Sequence, residues 1–220
     1  MLVKVIIFDF DGTIADTLEA IVSITNSLAS EFGYKPVSQE ELPRLKNLNS
    51  RQLIKLSGIS IFKIPFLFRR VKAELSKEIQ ALSPIPGMAE VLTKLKSQGN
   101  RLGIITSNSK ENVTAFLTKN GMHDLFDFIY SGKTLFGKDK VIDWVIKQEN
   151  FKPESVIYVG DETRDIEASK RTHIKVIAVS WGFNSTEVLA KHEPDFLIHQ
   201  PKELINVIES LQQLYVSSKN

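Results

Sequence analysis

The chain has 220 residues, with 28 Lys plus Arg against 26 Asp plus Glu, a formal net charge of +2, and 42% apolar residues. That balance is ordinary for a globular protein and offers neither a basic surplus for nucleic acid nor a block of like charge. Thirteen Phe and frequent aliphatic runs exclude disorder, and no run approaches the roughly 18 apolar residues of a membrane span. The absence of Cys removes disulfides, thiol catalysis and zinc–thiolate sites. We expect a cytoplasmic protein without a signal peptide, built as one domain carrying an insertion.

Residues 3–8 (VKVIIF) are short, β-branched and apolar, the pattern of a buried strand. Residues 16–84 then break away from strand patterning. Leu18, Ile21, Val22, Thr25 and Leu28 mark one helical face, and the leucines and isoleucine between residues 42 and 56 mark more helices. This stretch is predicted to be an all-helical cap (16–84) inserted after the first strand, with residues 1–15 and 85–220 as the core. Beyond it, strand-like runs recur at residues 101–106, 155–159, 175–179 and 195–199. Between them come helix patterns at Met88/Val91/Leu92/Leu95, Val113/Phe116/Leu117 and Val141/Trp144/Val145. Pro86-Gly87 precedes the first of these helices and Gly99 ends it; Ser109 and Gly121 bracket the second. Such alternation predicts an α/β fold, a doubly wound, mostly parallel sheet.

Open parallel sheets bind ligands beyond the C-terminal ends of their strands. The residues found there are Asp9, Asp11, Gly12 and Thr13 after the first strand, and Ser107 and Asn108 after the second. Asp161, Glu162 and Asp165 follow the run at 155–159, and Lys138 opens a helix just after Gly137. Carboxylates gathered on one rim repel unless a cation joins them, and an all-oxygen donor set favours Mg2+ over Ca2+ or Zn2+. Asp9 is placed to attack phosphorus and form an aspartyl-phosphate. Asp11, two residues along an extended segment, shares its side and can serve as general acid and then base. Ser107 and Lys138 would hold the transferring phosphoryl oxygens. Each residue alone has a plainer reading: a strand-end turn for Asp9-Phe10-Asp11-Gly12, a helix cap for Ser107, a solvated lysine for Lys138 and a loop acceptor for Asp165. The four histidines lack metal-like spacing and read as surface or loop residues.

DFDGTIADT at residues 9–17, IITSN at 104–108, Gly137-Lys138 and GDETRD at 160–165 resemble, in order, the four motifs of the haloacid dehalogenase superfamily. IPG at 85–87 resembles the re-entry into that core, and SWGFN at 180–184 with PDFLI at 194–198 looks like the phosphoglycolate-phosphatase-like branch. The resemblance implies Asp9 as nucleophile and Asp11 as acid/base. It implies Gly12, Thr13, Ser107, Asn108 and Lys138 as phosphate-binding residues. Mg2+ would be held by Asp9, the backbone carbonyl of Asp11 and Asp161, with Asp165 in support and Glu162 as a water-mediated ligand. Lys133, after Gly132, competes with Lys138 for the lysine role. The implied partner is a small phosphorylated metabolite, with no nucleic acid or membrane, and the protein would be a monomer or homodimer. Asp11 argues for phosphoryl chemistry over dehalogenation.

A sugar-phosphate mutase, a phosphonate hydrolase using a cap lysine as a Schiff base, and a receiver-type signalling module stay open as alternatives. Residues 61–71 (IFKIPFLFRRV) read as a cap helix with its basic residues outside, or as a surface for a membrane or partner. Arg51, Arg69 and Arg70 are the cap residues considered for gripping a substrate carboxylate or second phosphate.

Overall fold

The computed structural model describes residues 3–132 and 137–217. Six parallel strands form one sheet in the order β3-β2-β1-β4-β5-β6. They are β1 (Val5–Phe8), β2 (Arg101–Thr106), β3 (Phe128–Ser131), β4 (Val156–Gly160), β5 (Lys175–Val179) and β6 (Phe196–Ile198). The sequence pattern missed β3. It is a four-residue edge strand with only Phe128 buried, too short and too exposed to produce a continuous apolar run.

β1 pairs with β2 on one side and with β4 on the other, Phe8 standing opposite both Ile104 and Val159. All four of its residues are buried, as a central strand covered on both faces requires. Ile6 and Phe8 join Leu92, Leu95, Phe116 and Leu204 on one face. Val5 and Ile7 meet Ile142, Val145 and Ile146 on the other. Those partners come from α5 (Met88–Ser97), α6 (Lys110–Lys119) and α10 (Glu203–Ser217) on the first face, and from α7 (Lys138–Gln148) on the second. Alternation along the strand therefore produces two helical layers. α8 (Thr163–Arg171) and α9 (Thr186–Lys191) complete the second layer, packing Ile166 and Leu189 on Val176 and Ala178.

The sheet leaves no room for a side chain at Gly103. A methyl carbon there would lie 2.0 Å from the Phe128 ring. Gly103→Ala is therefore expected to lower stability by about 1–3 kcal/mol, the usual cost of overpacking, read from denaturant midpoints at unchanged m-value.

Between β1 and α5 the chain forms α1 (Leu18–Phe32), α2 (Leu42–Leu45), α3 (Ser50–Ser57) and α4 (Ile64–Glu78). Ile24, Leu28 and Phe32 of α1 share a buried cluster with Leu67, Val71 and Leu75 of α4. The outgoing and returning segments run side by side: Asp16 N–H donates to Ser83 C=O (3.0 Å) and Ile85 N–H to Ile14 C=O (2.8 Å). The stretch at 61–71 is a 3₁₀ turn at Ile61–Lys63 followed by α4, with Pro65 in the first helical turn where its missing N–H costs nothing. Ile61, Phe62 and Phe66 face outward. No helix among the described residues is long and apolar enough to cross a membrane.

The helical segment is docked on the core. Asn184 Nδ2 donates to the Lys46 and Leu48 carbonyls (3.0 and 3.1 Å), and Ser185 N–H to the Lys46 carbonyl (3.0 Å). Ser50 Oγ donates to Glu162 (3.2 Å).

Candidate active site

With β2, β1 and β4 adjacent and parallel, Ser107, Asp9 and Asp161 emerge from the same edge of the sheet. β1 is the switch point from which the chain winds both ways, so the crevice opens there. Asp9 is 3% exposed. Its Oδ1 accepts the N–H of Phe10 (2.7 Å) and its Oδ2 accepts Lys138 Nζ (2.7 Å). Lys138 is itself buried at the first turn of α7; it also bonds Asp165 and lies 5.1 Å from the Tyr158 ring centroid. Burial disfavours its charge, but Asp165 and Asp9 outweigh that and hold the ammonium well above its ordinary range. The second oxygen of Asp165 accepts the N–H of Glu162 (3.0 Å), closing the N-terminus of α8.

Asp161 is fully buried. Thr13 Oγ1 donates to its Oδ1 (2.8 Å) and Phe183 N–H to its Oδ2 (2.6 Å). The backbone comes this close because two neighbours lack a side chain. A methyl carbon at Gly12 would stand 2.5 Å from Asp161 Oδ2, and one at Gly182 2.1 Å from it. Gly12 also takes φ +74°, a left-handed conformation that other residues adopt only with strain.

One carboxylate oxygen from each of Asp9, Asp161 and Asp165 lies within 4.8 Å of the other two, and all three residues are buried. Burial, and then the charges of Glu162, Asp9 and Asp165, push the Asp161 carboxyl well above the carboxylate range. An oxygen-only, negatively charged, enclosed donor set that suffers from its own repulsion fits a hard divalent cation such as Mg2+.

Asp11 stands apart from this trio. Asn108 Nδ2 donates to both of its oxygens (3.1 and 3.2 Å). The Asn108 amide is fixed in turn, its Oδ1 accepting Ser109 N–H (2.8 Å) and Asn112 Nδ2 (3.0 Å). Burial and the nearby Asp9 charge raise Asp11 to about 7, with Asn108 pulling the other way. A carboxyl poised there is suited to giving and taking protons at neutral pH.

The structure therefore brings Asp9, Asp161, Asp165 and Lys138 into one cluster, with Asp11 and Asn108 beside it. Other residues of the expected set stand around this cluster. Thr13 is wholly enclosed, and its hydroxyl goes to Asp161 rather than into the crevice. Glu162 lies outside the carboxylate trio; it pairs with Arg164 and accepts Ser50 Oγ because α8 begins there and turns it toward α3. Ser107 is half-buried with its hydroxyl unpartnered among the described residues, while Ser109 caps α6 by accepting Asn112 N–H (3.1 Å). Lys133 lies outside the described residues.

Arg69 is exposed, stacked 5.4 Å from the Phe66 centroid, and Arg70 is spent on Glu31 (3.0 Å) and Glu74 (3.7 Å). Arg51 is exposed and lines, with Arg164 and Arg171, a cavity of ≈ 90 Å³ between α3, α7 and α8.

Asn112, Phe183 and Arg164 contribute to the site without having been singled out. Arg164 sits inside the GDETRD run, and burial leaves its Nε and Nη1 without partners. A charged residue flanked by two motif carboxylates was the available signal for it. Asn112 and Phe183 act through contacts that spacing does not encode.

Residues 6–179 match the family model described as haloacid dehalogenase-like hydrolase. A phosphoglycolate phosphatase of Synechococcus elongatus is 36% identical over 210 residues, spanning 96% of this chain and 99% of the relative. Two solved structures share the fold. One is a haloacid dehalogenase-like family hydrolase from Streptococcus pneumoniae, with TM-score 0.74 and 24% identity over 93% of this chain and 98% of that one. The other is from Clostridium acetobutylicum and is described as a predicted phosphatase, with TM-score 0.82 and 21% identity over 96% and 100%.

Proposed function

Since the chain belongs to the haloacid dehalogenase-like hydrolase family, we propose that it is a Mg2+-dependent phosphatase acting on small phosphate monoesters through an aspartyl-phosphate. Phosphoglycolate is the first substrate to test, in view of the Synechococcus relative. The observation that carries the reading is the division of labour between two aspartates. Asp9 is locked by Lys138 beside two further carboxylates, while Asp11 is set apart on Asn108 near neutral pKa. Asp9, the Asp11 backbone carbonyl and Asp161, with Asp165 in support, would hold Mg2+, whose positive charge would offset that of the carboxylates and of the phosphoryl group.

This chain's own residues do the rest. An Asp9 carboxylate oxygen attacks phosphorus as the ester P–O bond breaks. Asp11 gives its proton to the departing alkoxide, so the alcohol leaves neutral. Asp11 then takes a proton from water as that water attacks the acyl phosphate, releasing inorganic phosphate and the Asp9 carboxylate. Lys138 offsets the charge that builds on the phosphoryl group, and the unpartnered Ser107 hydroxyl is free to donate to it. The docked helical segment keeps bulk water from the acyl phosphate, the usual service of a lid.

The deciding experiment is phosphate release from a panel of phosphoglycolate, sugar phosphates, nucleotides and an aryl phosphate, with Mg2+ and with EDTA. Release in Mg2+ and loss of it in EDTA supports the proposal. A folded protein silent on the whole panel overturns it. Isomerised sugar phosphate without free phosphate would give the site to a mutase instead.

The proton role of Asp11 has its own signature. Because Asp11 must be protonated to serve the leaving group, kcat/KM is expected to fall as pH rises through about 7. Asn108→Ala removes the two hydrogen bonds that favour the ionised form, so the falling limb should move to higher pH. A limb that stays in place, or moves down, in pH–rate profiles of the variant would assign it to another group.

A further inference from the structure

We infer that Lys72 is the residue that reads the substrate's leaving group, by pairing its ammonium with a carboxylate borne next to the phosphate ester. The preferred substrates are then short phosphorylated hydroxy acids rather than phosphorylated sugars or neutral alcohols. This rests on the phosphatase reading above and deepens it.

α4 turns Ile64, Leu67, Val71 and Leu75 into the protein. Lys72 follows Val71, so its side chain stands at the margin of that buried stripe, where the helix meets the core. Its backbone is tied there: Asn112 Nδ2 donates to the Lys72 carbonyl (3.4 Å) and to Asn108 Oδ1 (3.0 Å), and Asn108 carries Asp11 (3.1 and 3.2 Å). The same relay that fixes the acid/base thus fixes this turn of α4 next to it. Lys72 is half-buried, and its ammonium makes neither a hydrogen bond nor an ion pair among the described residues. Neighbouring cations are otherwise engaged: Lys63 reaches the Phe32 carbonyl (3.5 Å), Arg70 holds Glu31 and Glu74, and Lys77 holds Glu74 (2.6 Å). Burial pulls the Lys72 ammonium below its ordinary range, and the charge it feels in opposition is that of Asp11.

A half-buried cation with no hydrogen-bonded or ion-paired anion among the described residues, on the turn of α4 that Asn112 ties to Asn108 and so to Asp11, is placed to meet the leaving group. A carboxylate there regains for Lys72 the charge-assisted bond that water no longer supplies. A sugar or simple alcohol brings only hydroxyls and leaves the ammonium unpaired.

The test compares wild type with Lys72→Met, which keeps the aliphatic stem, and with Lys72→Arg. Phosphate release is measured in Mg2+ from phosphoglycolate and from ethyl phosphate, which matches it in length but lacks the carboxylate. Inhibition by the non-hydrolysable 3-phosphonopropionate and propylphosphonate is measured alongside. We expect Lys72→Met to raise KM for phosphoglycolate and Ki for 3-phosphonopropionate by about 10- to 100-fold, with the two neutral compounds changed less than about twofold. Lys72→Arg should recover part of the loss. Equal losses on charged and neutral compounds would make Lys72 a structural or phosphate-side residue and overturn the inference, as would no loss on either. Borohydride trapping of Lys72 with a phosphonoaldehyde would overturn it in favour of a Schiff base. If wild type hydrolyses monoesters but does not prefer phosphoglycolate over ethyl phosphate, the inference fails and the phosphatase reading survives. Wild-type silence on every monoester removes both.

Discussion

Asp9→Asn is expected to abolish phosphate release while leaving the protein folded. The amide has no nucleophilic oxygen anion to offer phosphorus, so the covalent step is lost rather than slowed by a weaker contact. Knockouts of a nucleophile cost on the order of 10⁴- to 10⁶-fold in kcat. Folding should withstand the change, because Lys138 keeps Asp165 as a partner and the charge removed is one of three crowded carboxylates. A thermal melt without divalent cation should therefore show the variant no less stable than wild type. With saturating Mg2+ the order should reverse. A cation bound only to the folded state at about a hundredfold its Kd adds roughly 2.7 kcal/mol, and the variant has given up one ligand. The measurements are single-turnover phosphate release and paired melts with Mg2+ and EDTA. Residual activity within about tenfold of wild type would move the nucleophile elsewhere.

Lys138→Met addresses the other pole of the cluster and is expected to damage the fold itself. The Lys138 side chain is 2% exposed and joins Asp9 and Asp165, whose side chains are 4% and 0% exposed. Methionine fills most of the volume but strands two buried carboxylates against each other. Removing one partner of a buried ion pair costs about 3–5 kcal/mol, mostly the penalty of the charge left behind. The loss should be largest at alkaline pH. Burial, opposed by Lys138, already raises Asp165, to about 6, and burial with its carboxylate neighbours raises Asp161 well above the ordinary value. Carboxyls raised on folding bind protons more readily folded than unfolded, so stability rises as pH falls through their folded values. With the ammonium gone that dependence should steepen. Mg2+ should restore part of the stability by supplying positive charge to the same oxygens, but not the turnover. Urea melts at pH 6 and pH 8, with and without Mg2+, decide this. A variant as stable as wild type at pH 8 would show that Lys138 is not what compensates the cluster.

Lys138 and Asp9 are 129 positions apart in the chain, yet both were legible beforehand, as were Asp11 and Asp161. The reason lies in the parallel sheet. Every strand of such a sheet delivers its C-terminal residues to one edge, so a strand pattern followed by a polar run already says where that run will sit. The motifs at β1, β2 and β4 needed only this rule. Helix ends behaved similarly: Ser109 caps α6 as its hydroxyl and position predict, and Gly99 and Gly121 take the positive φ that ends a helix. β3 escaped because an edge strand of four residues leaves no periodic signal. The cations of the helical segment stayed unsorted for a related reason. A helix pattern gives the buried stripe but not the element lying opposite each remaining face, so it could not show that Arg69 stacks on Phe66 and that Arg70 is held by Glu31 and Glu74.

What the sequence determined by itself is therefore local or repetitive: the strand-and-helix alternation, the helical insertion after β1, and the identity of the residues at the strand ends. These follow from hydrophobic periodicity and backbone preference, which act over a few residues. The tertiary structure alone decided which oxygens face one another. It set Asp165 on Lys138, turned Thr13 and Phe183 to Asp161, turned Glu162 toward Ser50, and hung Asp11 on Asn108. It also raised Asp11 to about 7 by burying it beside the Asp9 charge. Those outcomes depend on burial and on charges brought together from distant parts of the chain, and Coulomb interactions in a desolvated site change with every ångström of separation. No residue pattern along one strand carries that information.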